Sequence, residues 1–139
     1  MFKDLVKKTR SIRRFRQERR VPMKTLRALV DAARLSASGA NRQPLKYVLC
    51  ADPARNAEIF QTLAWAGYLE DWDGPAEGER PAAYATILCD RAVSAAPGCD
   101  HGIAAQTLVL AAAEQGLGAC MIGSVRRERL REILQIEER

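Results

Sequence analysis

The sequence has no apolar run of the roughly 18 residues that a bilayer-spanning helix requires, and no internal repeat or low-complexity tract. Its start, Met1-Phe2-Lys3-Asp4, lacks the apolar core of a secretory signal. These features predict a soluble, cytoplasmic protein and exclude a repeat array. Histidine occurs once, at His101, and none of the four cysteines forms a C-x-x-C pair. The Cys99-Asp100-His101 cluster matches no common zinc spacing, so no metal is expected. Cys50, Cys89 and Cys120 each sit inside an apolar run, the habit of free buried thiols rather than of a disulfide framework. There is also no G-x-G-x-x-G turn, which argues against a Rossmann nucleotide site.

What the chain does have suits one domain. It is 139 residues long and 47% apolar, enough for a core and too apolar for disorder. Charge is unevenly spread. Residues 1–50 carry 14 Lys or Arg against 3 Asp or Glu, whereas the remainder carries 8 against 14. A cationic amino-terminal third fits a nucleic acid, a phosphate-bearing cofactor or simply a solvated face.

The spacing predicts helices over residues 2–8, from Val21-Pro22 to about Leu35, from about Ala54 to Ala66, over Asp100–Gln115 and over Arg127–Leu134. Strands are expected at Tyr47–Ala51, Tyr84–Cys89 and Ala119–Ile122. The helix Asp100–Gln115 is apolar almost all round, which marks a central or interface helix. Residues 67–82 read as a long surface loop. Three short strands make a thin sheet for so many helices, and the chain reads as stopping before the sheet is complete. The class is mixed α+β.

Three segments hold groups suited to chemistry. Thr9-Arg10-Ser11-Ile12-Arg13-Arg14-Phe15 offers guanidinium forks and hydroxyls, the donors that a phosphate dianion takes. Ser38-x-x-Asn41-x-Gln43-Pro44 combines small residues with amides that can both donate and accept, as the edge of a heteroaromatic ring requires, although an ordinary self-capping turn reads the same way. Gly116-Leu117-Gly118-Ala119-Cys120-Met121-Ile122-Gly123-Ser124 is a helix stop followed by an apolar run that ends on glycine.

In order along the chain, R-S-x-R-R-F, S-x-x-N-x-Q-P, the loop Gly74–Pro81 (G-P-x-E-G-E-R-P), D-H-G-I-A-A-Q and G-L-G-A-C-M-I-G-S together resemble the nitroreductase family, from about residue 5 to the end. The resemblance implies an α/β sandwich around a mixed, largely antiparallel sheet, with a long central dimer-interface helix at Asp100–Gln115. It implies a single FMN-binding domain over residues 1–139 that lacks its carboxy-terminal part.

By the same resemblance, Arg10, Ser11 and Arg13 contact the phosphate, ribityl chain and pyrimidine edge of FMN. Ser38, Gly39, Asn41 and Gln43 lie along the ring system, some of them from a second subunit, and Ile122 and Gly123 bring backbone amides near the reactive nitrogen. Thr9 stands where the family often has a basic residue. The implied activity is ping-pong transfer of hydride from NAD(P)H through FMN to a nitroaromatic, quinone or related acceptor, by a homodimer with neither nucleic acid nor membrane as partner. The alternative is a truncated, non-catalytic flavin-binding homologue. No side-chain catalyst is implied, and His101 is expected to be a helix-start residue. Trp65, Tyr68 and Trp72 are available to stack on a substrate from a lid built of residues 65–82.

Overall fold

The structure, a computed structural model, describes residues 1–137. Five helices and two strands follow the order α1 (Phe2–Lys8), α2 (Met23–Ala33), β1 (Leu45–Cys50), α3 (Pro53–Phe60), β2 (Tyr84–Cys89), α4 (Asp100–Glu114) and α5 (Arg127–Leu134). A short 3₁₀ turn at Gly39–Asn41 lies inside the loop between α2 and β1. The final residues, Glu138 and Arg139, on which the expectation of an early stop partly rests, lie outside the described residues.

The strands pair antiparallel, with Leu45 opposite Cys89 and Cys50 opposite Tyr84. Because side chains alternate across a strand, the sheet has two apolar faces. Leu45, Tyr47, Leu49 and Ile87 meet a core built from Leu26, Leu29 and Ala33 of α2 and Ala104, Leu108 and Ala112 of α4. Val48, Cys50 and Tyr84 face the other way, onto Ile59 of α3 and Leu130 and Leu134 of α5. The molecule is thus a sheet between two helical layers, the α+β sandwich expected. Truncating a core leucine such as Leu108 to alanine costs about 2–5 kcal/mol in sites of this kind.

Local chemistry explains the starts of α2 and α3. Pro22 caps α2 with extended geometry rather than starting the helix (φ −61°, ψ 143°). Asp52 accepts a hydrogen bond from the Arg55 amide at 2.8 Å, and Pro53 opens α3 with its fixed φ. Helix α4 buries Ala104, Leu108 and Ala112, one residue per turn along a single face, while Ile103 on another face stays 41% exposed.

Helix α2 also stops at Ala33 rather than about Leu35, and β1 runs over Leu45–Cys50 rather than Tyr47–Ala51; two larger expectations fail. Helix α3 ends at Phe60 instead of running to Ala66. The Thr62 hydroxyl turns back to the Ile59 carbonyl at 2.7 Å, and Leu63 pairs with Val125 as an isolated bridge. The tertiary pairing overrides the helical pattern of the sequence. The third strand, Ala119–Ile122, shrinks to one parallel bridge between Ala119 and Ser11.

Candidate functional site

The arginine-rich segment runs extended between two neighbours. On one side, the Ile12 amide donates to the Ala119 carbonyl at 3.0 Å. Gly118 permits this approach, because a Cβ there would lie 3.0 Å from Ile12 Cγ2. On the other side, the Phe15 and Gln17 amides donate to the Glu79 and Gly78 carbonyls at 2.9 and 3.1 Å. The loop Gly74–Pro81 is therefore tied to the cationic segment, with an exposed Arg14–Glu79 ion pair at 3.7 Å reinforcing the contact.

This path brings Arg13 to a cleft of about 170 Å³ that Trp65, Cys120, Met121, Ile122, Gly123 and Ser124 also line. Arg13 is half-buried; Nη1 makes a long contact of 3.4 Å to the Ser11 carbonyl, and the guanidinium lies 5.6 Å from the Tyr68 ring centre. No carboxylate among the described residues pairs with it. The N–H groups of Met121, Ile122 and Gly123 meet no backbone acceptor among the described residues. Trp65 lines the cleft too, but its Nε1 is fully buried and without a partner. The cleft is a collection of unused donors around one cation. Burial pushes the Cys120 thiol up, partly offset by the Arg13 charge, so this cysteine keeps its proton at neutral pH.

The Ser38–Gln43 loop is built on the opposite plan. Ser38 Oγ donates to Asp100 Oδ2 at 2.6 Å, and the Gly39 amide donates to Oδ1 at 2.9 Å. The Ser38 hydroxyl also accepts from the Gln43 amide at 2.9 Å, and Gln43 Nε2 donates to Asn41 Oδ1 at 2.6 Å. A second tie joins the Ser36 and Thr107 hydroxyls at 2.7 Å. The Ser38 hydrogen bond, the Gly39 amide and, more weakly, the His101 charge hold the Asp100 carboxyl below its ordinary value. The loop is strained: Ala40, Asn41 and Gln43 all have positive φ, between 50° and 52°. Asparagine tolerates that region; alanine and glutamine do not favour it. Strain of this kind persists only where the surroundings fix it, and here Asp100 does so.

The structure therefore brings Arg13, Ile122 and Gly123 into one cleft. It gathers Ser38, Gly39, Asn41 and Gln43 into a separate cluster on the amino-terminal end of α4, outside the lining of that cleft. Arg10 is exposed just before the Ser11 bridge, and Thr9 closes α1 through a 2.8 Å bond from its hydroxyl to the Leu5 carbonyl. His101 is exposed in the first turn of α4. Of the three aromatics in the long loop, Trp65 is buried between Phe60 (5.9 Å) and Trp72 (6.4 Å between ring centres), while Tyr68 is 70% exposed. Trp65 and Trp72 thus pack the loop down. Gly74 makes this possible: its φ is +113°, and a Cβ would meet Trp65 Cδ1 at 2.8 Å. The partner that sequence reasoning missed is Asp100, because its bond to Ser38 spans 62 positions.

Comparison with known proteins agrees with this architecture. The sequence profile of the nitroreductase family matches residues 6–139. A Methanothermobacter thermautotrophicus protein, provisionally named an NADH dehydrogenase/NAD(P)H nitroreductase, is 29% identical over 142 residues, spanning 97% of this chain and 69% of that protein. The solved nitroreductase family protein of Streptococcus pneumoniae superposes with a TM-score of 0.79 at 22% identity, covering 99% of this chain and 84% of the other. A provisionally assigned nitroreductase of Desulfovibrio desulfuricans, solved in complex with FMN, gives 0.77 at 23% identity, with 98% and 77% covered. The structural likenesses establish the fold, and the profile extends over nearly the whole sequence. The chain belongs to the nitroreductase family, a family of oxidoreductases.

Proposed function

We propose that this protein is an FMN-dependent oxidoreductase whose flavin lies in the Arg13 cleft and is enclosed by a second copy of the chain. The observation that carries this reading is the donor set itself. A guanidinium without a carboxylate partner and the backbone N–H groups of Met121, Ile122 and Gly123, which meet no backbone acceptor among the described residues, belong to residues lining one cleft. The edge of a flavin is rich in acceptors, so the residues present fit the group. When bound, FMN would supply the redox chemistry between NAD(P)H and a nitroaromatic, quinone or related acceptor.

The chain's own residues bind and orient. Arg13 opposes negative charge at the pyrimidine edge, the Ile122 and Gly123 amides donate to the ring, and Arg10 and Ser11 hold the phosphate and ribityl chain. Neither Cys120, protonated, nor His101, exposed, is asked to act as nucleophile or base. A cleft of about 170 Å³ is smaller than the roughly 300–1,000 Å³ of a self-sufficient ligand pocket, so one copy provides one wall. Exposed Phe2, Ile103 and Met121 supply the apolar surface for a homodimer contact. Ser38, Gly39, Asn41 and Gln43 of the second copy then lie along the ring, where their rigid loop sets the shape of the other wall. A cytoplasmic location, where NAD(P)H is available, accords with this reading.

The test is the visible spectrum of the purified protein with added FMN, before and after anaerobic NADH or NADPH. Co-purifying flavin that bleaches with the nicotinamide and recovers with a quinone supports the reading. Protein that stays colourless contradicts it, and bound flavin that no nicotinamide reduces favours the non-catalytic homologue.

A further inference from the structure

Asp100 is a carboxylate that the Arg13 cleft does not use. It is 7% exposed, a burial that acidic side chains seldom reach without partners. Both of its oxygens are taken by the loop, Oδ2 by the Ser38 hydroxyl at 2.6 Å and Oδ1 by the Gly39 amide at 2.9 Å. No ion pair among the described residues includes it. An ionised carboxylate only accepts, so the Ser38 proton points at Asp100 and a lone pair of Oγ stays free for the Gln43 amide at 2.9 Å. One acidic side chain thereby fixes both ends of the segment 38–43. That segment holds three positive-φ residues, Ala40, Asn41 and Gln43, a conformation the chain would otherwise leave.

The anchors also share a helix stripe. Ser36 is tied to Thr107 at 2.7 Å, and Asp100, Ile103 and Thr107 recur at three- and four-residue steps along α4, one above another on one side. Ile103, between the two anchors, is 41% exposed. The loop is thus tethered on both sides of an apolar side chain left for another surface, and its tip, Asn41 and Gln43, stays exposed. We propose, resting on the two-copy flavin site above, that Asp100 is a positioning residue for flavin binding. It touches no flavin. It holds the Ser38–Gln43 loop in its single strained shape before the cofactor arrives, so that Asn41 and Gln43 meet the flavin of the second copy without rearranging. A site whose competent form is only partly populated binds more weakly in proportion to that fraction.

The test compares the full chain with its Asp100→Ala, Asp100→Asn and Ile59→Val variants, by fluorescence titration with FMN, by thermal denaturation and by amide hydrogen exchange without flavin. Asparagine keeps an acceptor for the Gly39 amide and can donate to Ser38 Oγ, so it preserves the loop. Asp100→Asn should bind FMN as the unaltered protein does. Asp100→Ala should bind about tenfold more weakly, as expected when about a tenth of the loops keep the competent shape, with faster exchange at Gly39 and Gln43. Ile59, 1% exposed in the other core cluster, controls for stability: Ile59→Val should lower Tm and leave FMN affinity unchanged. Undiminished affinity in Asp100→Ala, an equal loss in both Asp100 variants, or a similar loss in Ile59→Val would overturn the proposal and leave the flavin site standing. Unaltered protein that takes up no FMN would overturn both.

Discussion

The cleft beside Arg13 and the loop from Ser38 to Gln43 hold the same kinds of group and use them in opposite ways. In the loop, the Ser38 hydroxyl, the Gly39 and Gln43 amides and the Asn41 side chain are committed to one another and to Asp100. In the cleft, the guanidinium and three backbone amides have no comparable partners among the described residues. One region is rigid and internally satisfied; the other is a set of donors still to be used. The difference separates two roles that a motif search merges. Committed groups set shape, and uncommitted donors recognise a ligand.

The largest expected effect separates those roles. Arg13→Gln should weaken FMN binding about 100-fold, the scale of one lost charged hydrogen bond, yet change folding stability by no more than about 0.5 kcal/mol, as for a substitution outside the core. Fluorescence titration of FMN and thermal denaturation read the two quantities. A large stability loss with unchanged affinity would erase the distinction. Gly74→Ala comes next. It places a methyl against Trp65 in a backbone conformation that alanine resists, and should cost about 2 kcal/mol by overpacking and strain. Denaturant unfolding measures it.

Asp100→Ala should act on the loop alone. It removes the acceptor of both Ser38 and Gly39 and should lower Tm by about 5 °C, with hydrogen exchange rising at Gly39 and Gln43. The smallest effect is pH dependence. The Asp100 carboxyl is held below its ordinary value of 3.8, so its stabilisation is complete above that value and fades as pH falls through the lower, folded one. Exchange at the Gly39 amide should accelerate over that acidic window in the native protein and show no such step in Asp100→Ala.

Much of the architecture is legible in the residues. Helix α5 and strand β2 have the expected bounds, and α1 and α4 differ by at most a residue, because apolar periodicity and turn residues mark them locally. Helix α3 is not legible in its length. Nothing in Gln61-Thr62-Leu63 announces a stop, and the helix ends because Leu63 finds Val125 far along the chain. The third strand fails for the same reason in reverse: its apolar run predicts pairing, and the described chain offers only Ser11 as partner. In the site, Arg13 and Gly123 stand out by type. The Asp100–Ser38 bond and the orphaned donors do not, since both depend on what the fold brings near them.

If Arg13 of one copy and the Ser38–Gln43 loop of another enclose a single flavin, mixed subunits should complement one another. Arg13→Gln and Asn41→Leu proteins, each weak in FMN binding alone, are unfolded together and refolded in equal amounts. If the site spans two copies, half the dimers are mixed, each with one intact site, and tight binding returns in about a quarter of all sites. A mixture that binds FMN no better than its two components would contradict the account.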